Sequence, residues 1–446
     1  MKIVIAGAGA VGTHLAKLLS REKHDIIVID SNPDKLVDLS NSFDLLTKAV
    51  SPLSIEGLRS INVEKADLFI GVTPHETDNI IACMLARKMG ARKTVARADS
   101  YEYIEKKNQE LFKSIGIDSL ILPEMIAAQE IASSVSRSWI RQWWEVENSD
   151  LVMMGIKVRE NSHILNVPLK NLCGPESPYH IVAVKRADET IIPHGNDIIR
   201  SYDLVFFMTT RKYIPYIREI VGKENYPDVK NVAIMGGGMT SLFTAKLLPD
   251  YMHVKIIEKD EQRCRELFEL IENKNVMIIH GDGRDMSLLQ EENIPNDEAF
   301  IALTPNSETN ILSCLAAKRM HIPKTVAMLD NLSYVSMAES LDIGTLINKQ
   351  NIAAGYIYQM MLKADVTNVK TLMVANADVA EFNIKEGSKI TSKAIKDLNL
   401  PKGATLGGFV RNGVGSLING NTRLQAGDHV VTFCIGNDLS RLSTLF

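Results

Sequence analysis

Three glycines in the stretch KIVIAGAGAVG, namely Gly7, Gly9 and Gly12, follow an apolar run and open a helical one. An acid, Asp30, ends the next apolar run 18 residues after Gly12. Each of these residues has its own chemical task. The first glycine makes a tight turn. The second lets backbone N–H groups reach a pyrophosphate at the positive end of a helix, and the third lets helix and strand pack closely. Asp30 can accept both ribose hydroxyls, and its charge repels a 2′-phosphate, which favours NAD(H) over NADP(H). The expected chemistry is dinucleotide binding, and the alternative is a glycine turn in an empty domain of the same kind. A second loop, Gly236-Gly237-Gly238-Met239-Thr240-Ser241, repeats the plan with Glu258 as its acid. Ser241 replaces the third glycine, where a small hydroxyl is tolerated at some cost to packing. This half adds Gly281-Asp282-Gly283 after VMIIH, a position where a carboxylate would lie against the base or ribose. The matching stretch of the first half, Val50-Ser51-Pro52, has no acid.

Thr73 and Thr304 end later apolar runs, each followed by Pro and a helix start. They could face the ligand crevice at the carboxyl ends of parallel strands or cap the next helix, as could Thr77. Arg97, at the end of KTVA, could contact phosphate as a fork donor or form a surface ion pair. Its counterpart is Met328. Other chemistry is thin. The ten histidines, His14, His75, His163, His280 and His321 among them, form no HxxxH or HExxH pattern, so no zinc site is expected. His75 reads as loop surface. No GxSxG and no GxxxxGK[ST] is present. Cys83 and Cys314 fall in apolar stripes of helices and read as core. Trp143-Trp144 reads as junction packing ahead of an exposed patch, and Met360-Met361 as core.

These residues need a repeated scaffold. Gly7 aligns with Gly236, Thr73 with Thr304, Asn79 with Asn310, Cys83 with Cys314 and Lys93 with Lys324, so the two halves match along their length. In the front of each half, continuous apolar runs alternate with helical stretches. IVIAG, DIIVID, ADLFIGVT and KTVARA are separated by helices expected near 10–21, 33–40 and 77–90. That alternation predicts an α/β fold of tandem Rossmann-like parallel sheets. After residue 146, and again after 368, short strands with turn signals predict a small, mostly β domain with some helix. The polar stretch 222–228 marks the junction of the halves. The expected domains are 1–135, 136–222, a linker at 223–229, then 230–360 and 361–446.

Composition narrows the class. With 446 residues, 50 Lys+Arg against 54 Asp+Glu and a net charge of −4, the chain lacks the basic excess of a general nucleic-acid binder. An apolar fraction of 45% and a charged fraction of 23% exclude bulk disorder. No apolar run approaches the roughly 20 residues of a membrane span, and no secretory signal is evident at the N-terminus. The five cysteines are scattered without a CxxC, a pattern that fits reduced thiols in the cytoplasm.

The ordered set of motifs resembles the TrkA family, regulatory proteins of bacterial Trk potassium-uptake systems with tandem RCK (KTN) N- and C-terminal domains. The likeness is carried by IVIAGAGAVG with DIIVID, ADLFIGVTPHETDNIIACMLARKMGARKTVAR, HGDGRDMSLL and LPKGATLGGFVRN with LQAGDHVVTF. It implies that each small β domain is an α+β RCK C-terminal domain. It further implies NAD(H) binding, with ATP or ADP in some members, and a homo-oligomeric ring of RCK domains. The ring would sit peripherally on the cytoplasmic face and gate an integral-membrane potassium-translocating Trk subunit. It implies no catalysis. By the same likeness, Gly7, Ala8, Gly9, Ala10 and Val11 would hold the pyrophosphate, with Gly12 behind them. Asp30 would hold ribose, and Thr73, Pro74 and Arg97 would form the far wall. Gly236, Gly237, Gly238, Met239, Thr240, Glu258, Asp282 and Thr304 are the second set. Ser51 stands where members usually carry a Gly-Asp or Gly-His turn. The runner-up reading is an NAD-dependent oxidoreductase, and a third is a nucleotide sensor with a soluble partner.

Overall fold

The computed structural model describes residues 1–20, 24–146, 149–174, 176–187, 189–361, 366–372, 377–435 and 438–446. The chain forms two compact units, Met1–Ala127 with Lys349–Met361, and Ala128–Asn348 with Leu362–Phe446.

In the first unit, six parallel strands form one sheet. They are β1 (Lys2–Ala6), β2 (Asp25–Asp30), β3 (Leu46–Ala49), β4 (Leu68–Gly71), β5 (Thr94–Arg97) and β6 (Ser119–Ile121). Their order is β3-β2-β1-β4-β5-β6. Ile3, Val4, Ile5 and Ala6 of the central strand are fully buried, which is why β1 reads as a continuous apolar run and not an alternating one. The helices Ala10–Leu19, Asp34–Ser42 and Glu76–Met89 connect these strands. The edge strand β3 was not among the sequence expectations. Its four residues, LTKA, are at most half-buried, so they carry little apolar signal. The helix Lys349–Met361 lies in this unit, packed along Ala10–Leu19. Its Lys349 is 3.5 Å from Glu124.

The second unit contains three sheets. The first joins β7 (Gln142–Glu145), β8 (Leu151–Lys157), β9 (Tyr179–Arg186), β10 (Glu189–Ile191) and β11 (Leu204–Thr210), in the order β10-β9-β11-β8-β7. The second is a parallel sheet of β12 (Asn231–Met235), β13 (His253–Glu258), β14 (Val276–His280), β15 (Ala299–Ala302), β16 (Lys324–Met328) and β17 (Thr345–Ile347). Its order, β14-β13-β12-β15-β16-β17, repeats that of the first unit. The third joins β18 (Val366–Leu372), β19 (Ala377–Asn383), β20 (Ala404–Arg411), β21 (Val414–Leu417) and β22 (His429–Ile435), in the order β18-β19-β22-β20-β21. Read from its other edge, this is the topology of the β7–β11 sheet. The fold is thus two Rossmann-like parallel sheets, each followed in sequence by a small antiparallel domain.

The two antiparallel sheets share one core. Met153, Val182 and Phe206 pack with Val379, Val431 and Phe433, and the Phe206 and Phe433 rings lie 5.2 Å apart. Trp144 is buried in this core, its Nε1–H donating to Glu381 Oε1 at 3.0 Å. Trp143 is half-buried with the Arg137 guanidinium 4.2 Å above its ring, so the tryptophan pair is packing. Met360 is half-buried, and the side chain of Met361 lies outside the described residues.

Candidate nucleotide-binding crevices

At the carboxyl edge of the first sheet, neighbouring strands deliver the glycine loop from β1, Asp30 from β2, Ser51 beyond β3, Thr73 beyond β4 and Arg97 from β5. This is the point where the strand order reverses, the usual place for a ligand in an open parallel sheet. Two of the three glycines are needed on steric grounds. Gly7 has φ +115°, and a Cβ there would lie 2.9 Å from the backbone of Val72 and Thr73. Gly12 sits so close to the turn that a Cβ would lie 1.9 Å from the Gly7 carbonyl oxygen. Gly9 caps the helix, and a Cβ there would meet nothing within 4 Å. The middle glycine therefore faces open space. No side chain caps this helix end, which leaves its first N–H groups available to an anion.

Asp30 is buried, and its carboxylate already holds the loop. Oδ2 accepts from the Ala8 N–H at 2.8 Å and Oδ1 from the Asn32 N–H at 2.8 Å. The second crevice repeats the arrangement. Glu258 Oε2 accepts from the Gly237 N–H at 2.6 Å, and Oε1 accepts from the Asp260 N–H at 2.8 Å. Gly236 has φ +101°, and Gly238 caps its helix with nothing within 4 Å of a built Cβ. Met239 is half-buried, and Thr240 is buried with its carbonyl accepting from the Thr244 hydroxyl. Ser241, at the place of Gly12, is fully buried and its hydroxyl has no partner.

Thr73 does not cap the following helix. His75 is the N-cap residue there, and it makes no side-chain cap bond. Instead the Thr73 N–H and hydroxyl donate to Asn79 Oδ1 at 2.7 and 2.8 Å. Asn79 Nδ2 donates in turn to the Thr73 and Arg97 carbonyls, both at 3.1 Å. Thr304, Asn310 and Met328 make the same staple in the second unit. Both asparagines are fully buried, and each ties together the ends of two strands that wall the crevice. The sequence pairing Asn79–Asn310 was visible, but nothing in it marked the residues as crevice wall. Pro74 and His75 are exposed.

Arg97 pairs with Asp99 at 2.9 Å, as the surface reading expected, yet its Nε–H is buried without a partner. Met328 is buried, so the second crevice has no cation at the position of Arg97. A different one appears: Arg263 Nε donates to the Gly237 carbonyl at 2.7 Å, placing a guanidinium beside the second loop. The sequence does not mark this arginine, because its first-half counterpart, Lys35, is a lysine. Asp282 is held by Arg284, with contacts of 2.6–3.2 Å that lower its pKa to about 2. Gly281 and Gly283 are fixed by packing, since built Cβ atoms would lie 2.5 Å from Leu288 and 2.4 Å from Met235. Ser51 is half-buried, and its hydroxyl accepts from the Leu53 N–H at 3.2 Å. Cys83 and Cys314 are fully buried with thiols pushed up to about 12 by desolvation, which is core behaviour. Among the described residues no cluster of three or more His, Cys, Asp or Glu could hold a metal, and no helix is long and apolar enough to cross a membrane.

Paired parallel sheets with glycine loops, each followed by an antiparallel domain, define a tandem Rossmann-like architecture. The TrkA-N domain family matches residues 3–123 and 232–349, and the TrkA-C domain family matches 153–222 and 379–446. The chain is 31% identical over 441 residues to the Trk system potassium uptake protein TrkA of Halomonas elongata, covering 98% of this chain and 96% of that protein. It is 31% identical over 455 residues to TrkA of Vibrio alginolyticus, covering 100% and 98%. The chain belongs to the TrkA family of Trk potassium-uptake proteins. Among solved structures, the GsuK RCK domain superposes with a TM-score of 0.61 at 15% identity over 100% of this chain and 94% of that one. The GsuK channel bound to NAD gives 0.61 at 14% identity, covering 100% and 78%. At these identities the likeness is one of fold.

Proposed function

We propose that this chain is a nucleotide-sensing regulatory subunit that gates an integral-membrane potassium-translocating Trk subunit. On this reading it works as a ring of RCK domains peripheral to the inner face of the membrane. The observation that carries the reading is the duplicated, acid-tethered glycine loop. Asp30 and Glu258 each hold the loop amide while leaving the middle glycine open, so NAD(H) fits the chemistry of both crevices. ATP or ADP is the second ligand class, suited to the crevice with Arg263. A nucleotide bridging strand ends in a crevice biases gating only if its affinity differs between two ring geometries. The fold likeness to a channel that binds NAD supports the reading. The oxidoreductase alternative needs a proton relay beside the cofactor. Sustained consumption of NADH with candidate substrates would favour that alternative.

Two measurements test the proposal. NADH titrated calorimetrically into Asp30→Ala and Glu258→Ala should bind more weakly, each variant losing one site by about tenfold or more. Unchanged affinity in both would remove the site assignment. Co-purification with the Trk membrane subunit, with and without NADH or ATP, should show a nucleotide-dependent complex. No association under any condition would remove the gating role.

A further inference from the structure

A cationic chamber lies in the second unit, away from the glycine loops. A cavity of about 100 Å³ opens beside a wider one of about 380 Å³, and both are lined by Arg141, Lys157 and Gly344. The charges around it do not balance: eight lysines and arginines line the two cavities against three acids, of which Glu339 and Asp203 are taken up by Lys185 and Arg186. Asp342 alone receives Arg141 at 2.9 Å, Lys318 at 3.2 Å and Arg159. Lys157 and Lys223 also line the smaller cavity; neither forms an ion pair among the described residues, and Asp342 offsets the charge of each only in part. Two polar atoms are buried and unpartnered, Arg159 Nη1 in the wall of the smaller cavity and Ser201 Oγ in that of the wider one. Next to Ser201, Tyr202 adopts φ +69°, a conformation a bulky side chain seldom takes, with the Arg159 guanidinium 5.0 Å from its ring. The fold does not require this arrangement. In the repeated antiparallel sheet the register equivalent of Lys157 is Asn383.

Cations crowded out of water without counter-ions are destabilising. Desolvation accordingly pushes the Lys157, Lys318 and Lys223 amines down, the last to about 8. An oxyanion would reverse this, and guanidinium forks with lysine amines form strong charge-assisted bonds to phosphate. We propose that this chamber is a phosphate-binding site, separate from the glycine-loop crevices. It takes either inorganic phosphate or the phosphate of a small metabolite whose organic part enters the wider cavity. The proposal stands independently of nucleotide binding at the loops.

The test uses the full chain saturated with NADH, so that the loops are filled. Inorganic phosphate and ribose 5-phosphate are titrated calorimetrically into wild type and into a Lys157→Ala/Lys223→Ala variant. Both probes should bind wild type, and the variant should lose about tenfold or more in affinity. Tighter binding of the ester than of phosphate would place the metabolite's organic part in the wider cavity. Equal affinities would confine the ligand to the smaller one. In phosphate-free buffer the variant should unfold no earlier than wild type, because like-charge repulsion has been removed. Phosphate should then raise the unfolding temperature of wild type alone. Failure of both probes to bind wild type at millimolar concentration, or equal binding by wild type and variant, would overturn the proposal.

Discussion

At the scale of single residues, the glycine fingerprint proves to hold two separate steric demands, at Gly7 and Gly12, with Gly9 facing open space. Gly12→Ala would place a methyl 1.9 Å from the Gly7 carbonyl oxygen, so it should destabilise the first unit by about 1–3 kcal/mol. Ser241→Ala alters the equivalent position in the other loop but removes a buried, unpartnered hydroxyl, so it should be neutral or stabilising. Hydrogen exchange on β1 and β12 would separate the two outcomes. A second residue-scale prediction concerns pH. Burial among Arg159, Arg141 and Lys318, partly offset by Asp342, brings the Lys223 amine down to about 8 from an ordinary 10.5. Between those values the unfolded chain holds more protons than the folded one, so stability should rise with pH through that window. Lys223→Met should flatten the slope. Trp139, Trp143 and Trp144 are the only tryptophans in the chain and all lie in the second unit, so their fluorescence reports its unfolding.

At the scale of elements, the antiparallel sheets depend on a repeated ion pair. Arg186 grips Asp203 through Nε at 3.0 Å and Nη2 at 2.7 Å, and Arg411 grips Asp428 through both at 2.7 Å. Both aspartates are 1% exposed and also accept a turn N–H, from Arg200 and Gln425. Each pair ties the end of one strand to the turn that starts another. Asp203→Ala and Asp428→Ala should each cost about 2–4 kcal/mol, after discounting for the partial exposure of the arginines. Tryptophan fluorescence during denaturant unfolding would measure this, and a negligible loss would show the pairs to be solvent-screened. Sheet register brings β9 beside the turn before β11, and β20 beside the turn before β22, which is what joins each arginine to its aspartate.

At the scale of the whole molecule, the duplicated plan is completed by shared packing. Phe206 of one antiparallel sheet meets Phe433 of the other, and Trp144 reaches Glu381 across more than two hundred residues of chain. A fragment ending at residue 222 would expose the apolar face around Phe206, Met153 and Val182. Such a patch should drive association. Size-exclusion chromatography should show the fragment as a dimer or aggregate, and a well-behaved monomer would contradict the shared core.

The sequence by itself determined the repeat, the parallel-sheet architecture and the glycine-acid constellation. All of these rest on local periodicity, on backbone freedom and on short spacings that survive in one dimension. The edge strand Leu46–Ala49 escaped it, since a half-exposed strand writes no apolar pattern. Only the tertiary structure decided that Thr73 serves a strand-end staple and not a helix cap, and that Arg263 stands over the second loop. It alone gathered five cations around Asp342. Apart from the short-range Thr73–Asn79 bonds, those contacts join residues distant in the chain, and their energy comes from burial and charge proximity, which exist only once the sheets are packed.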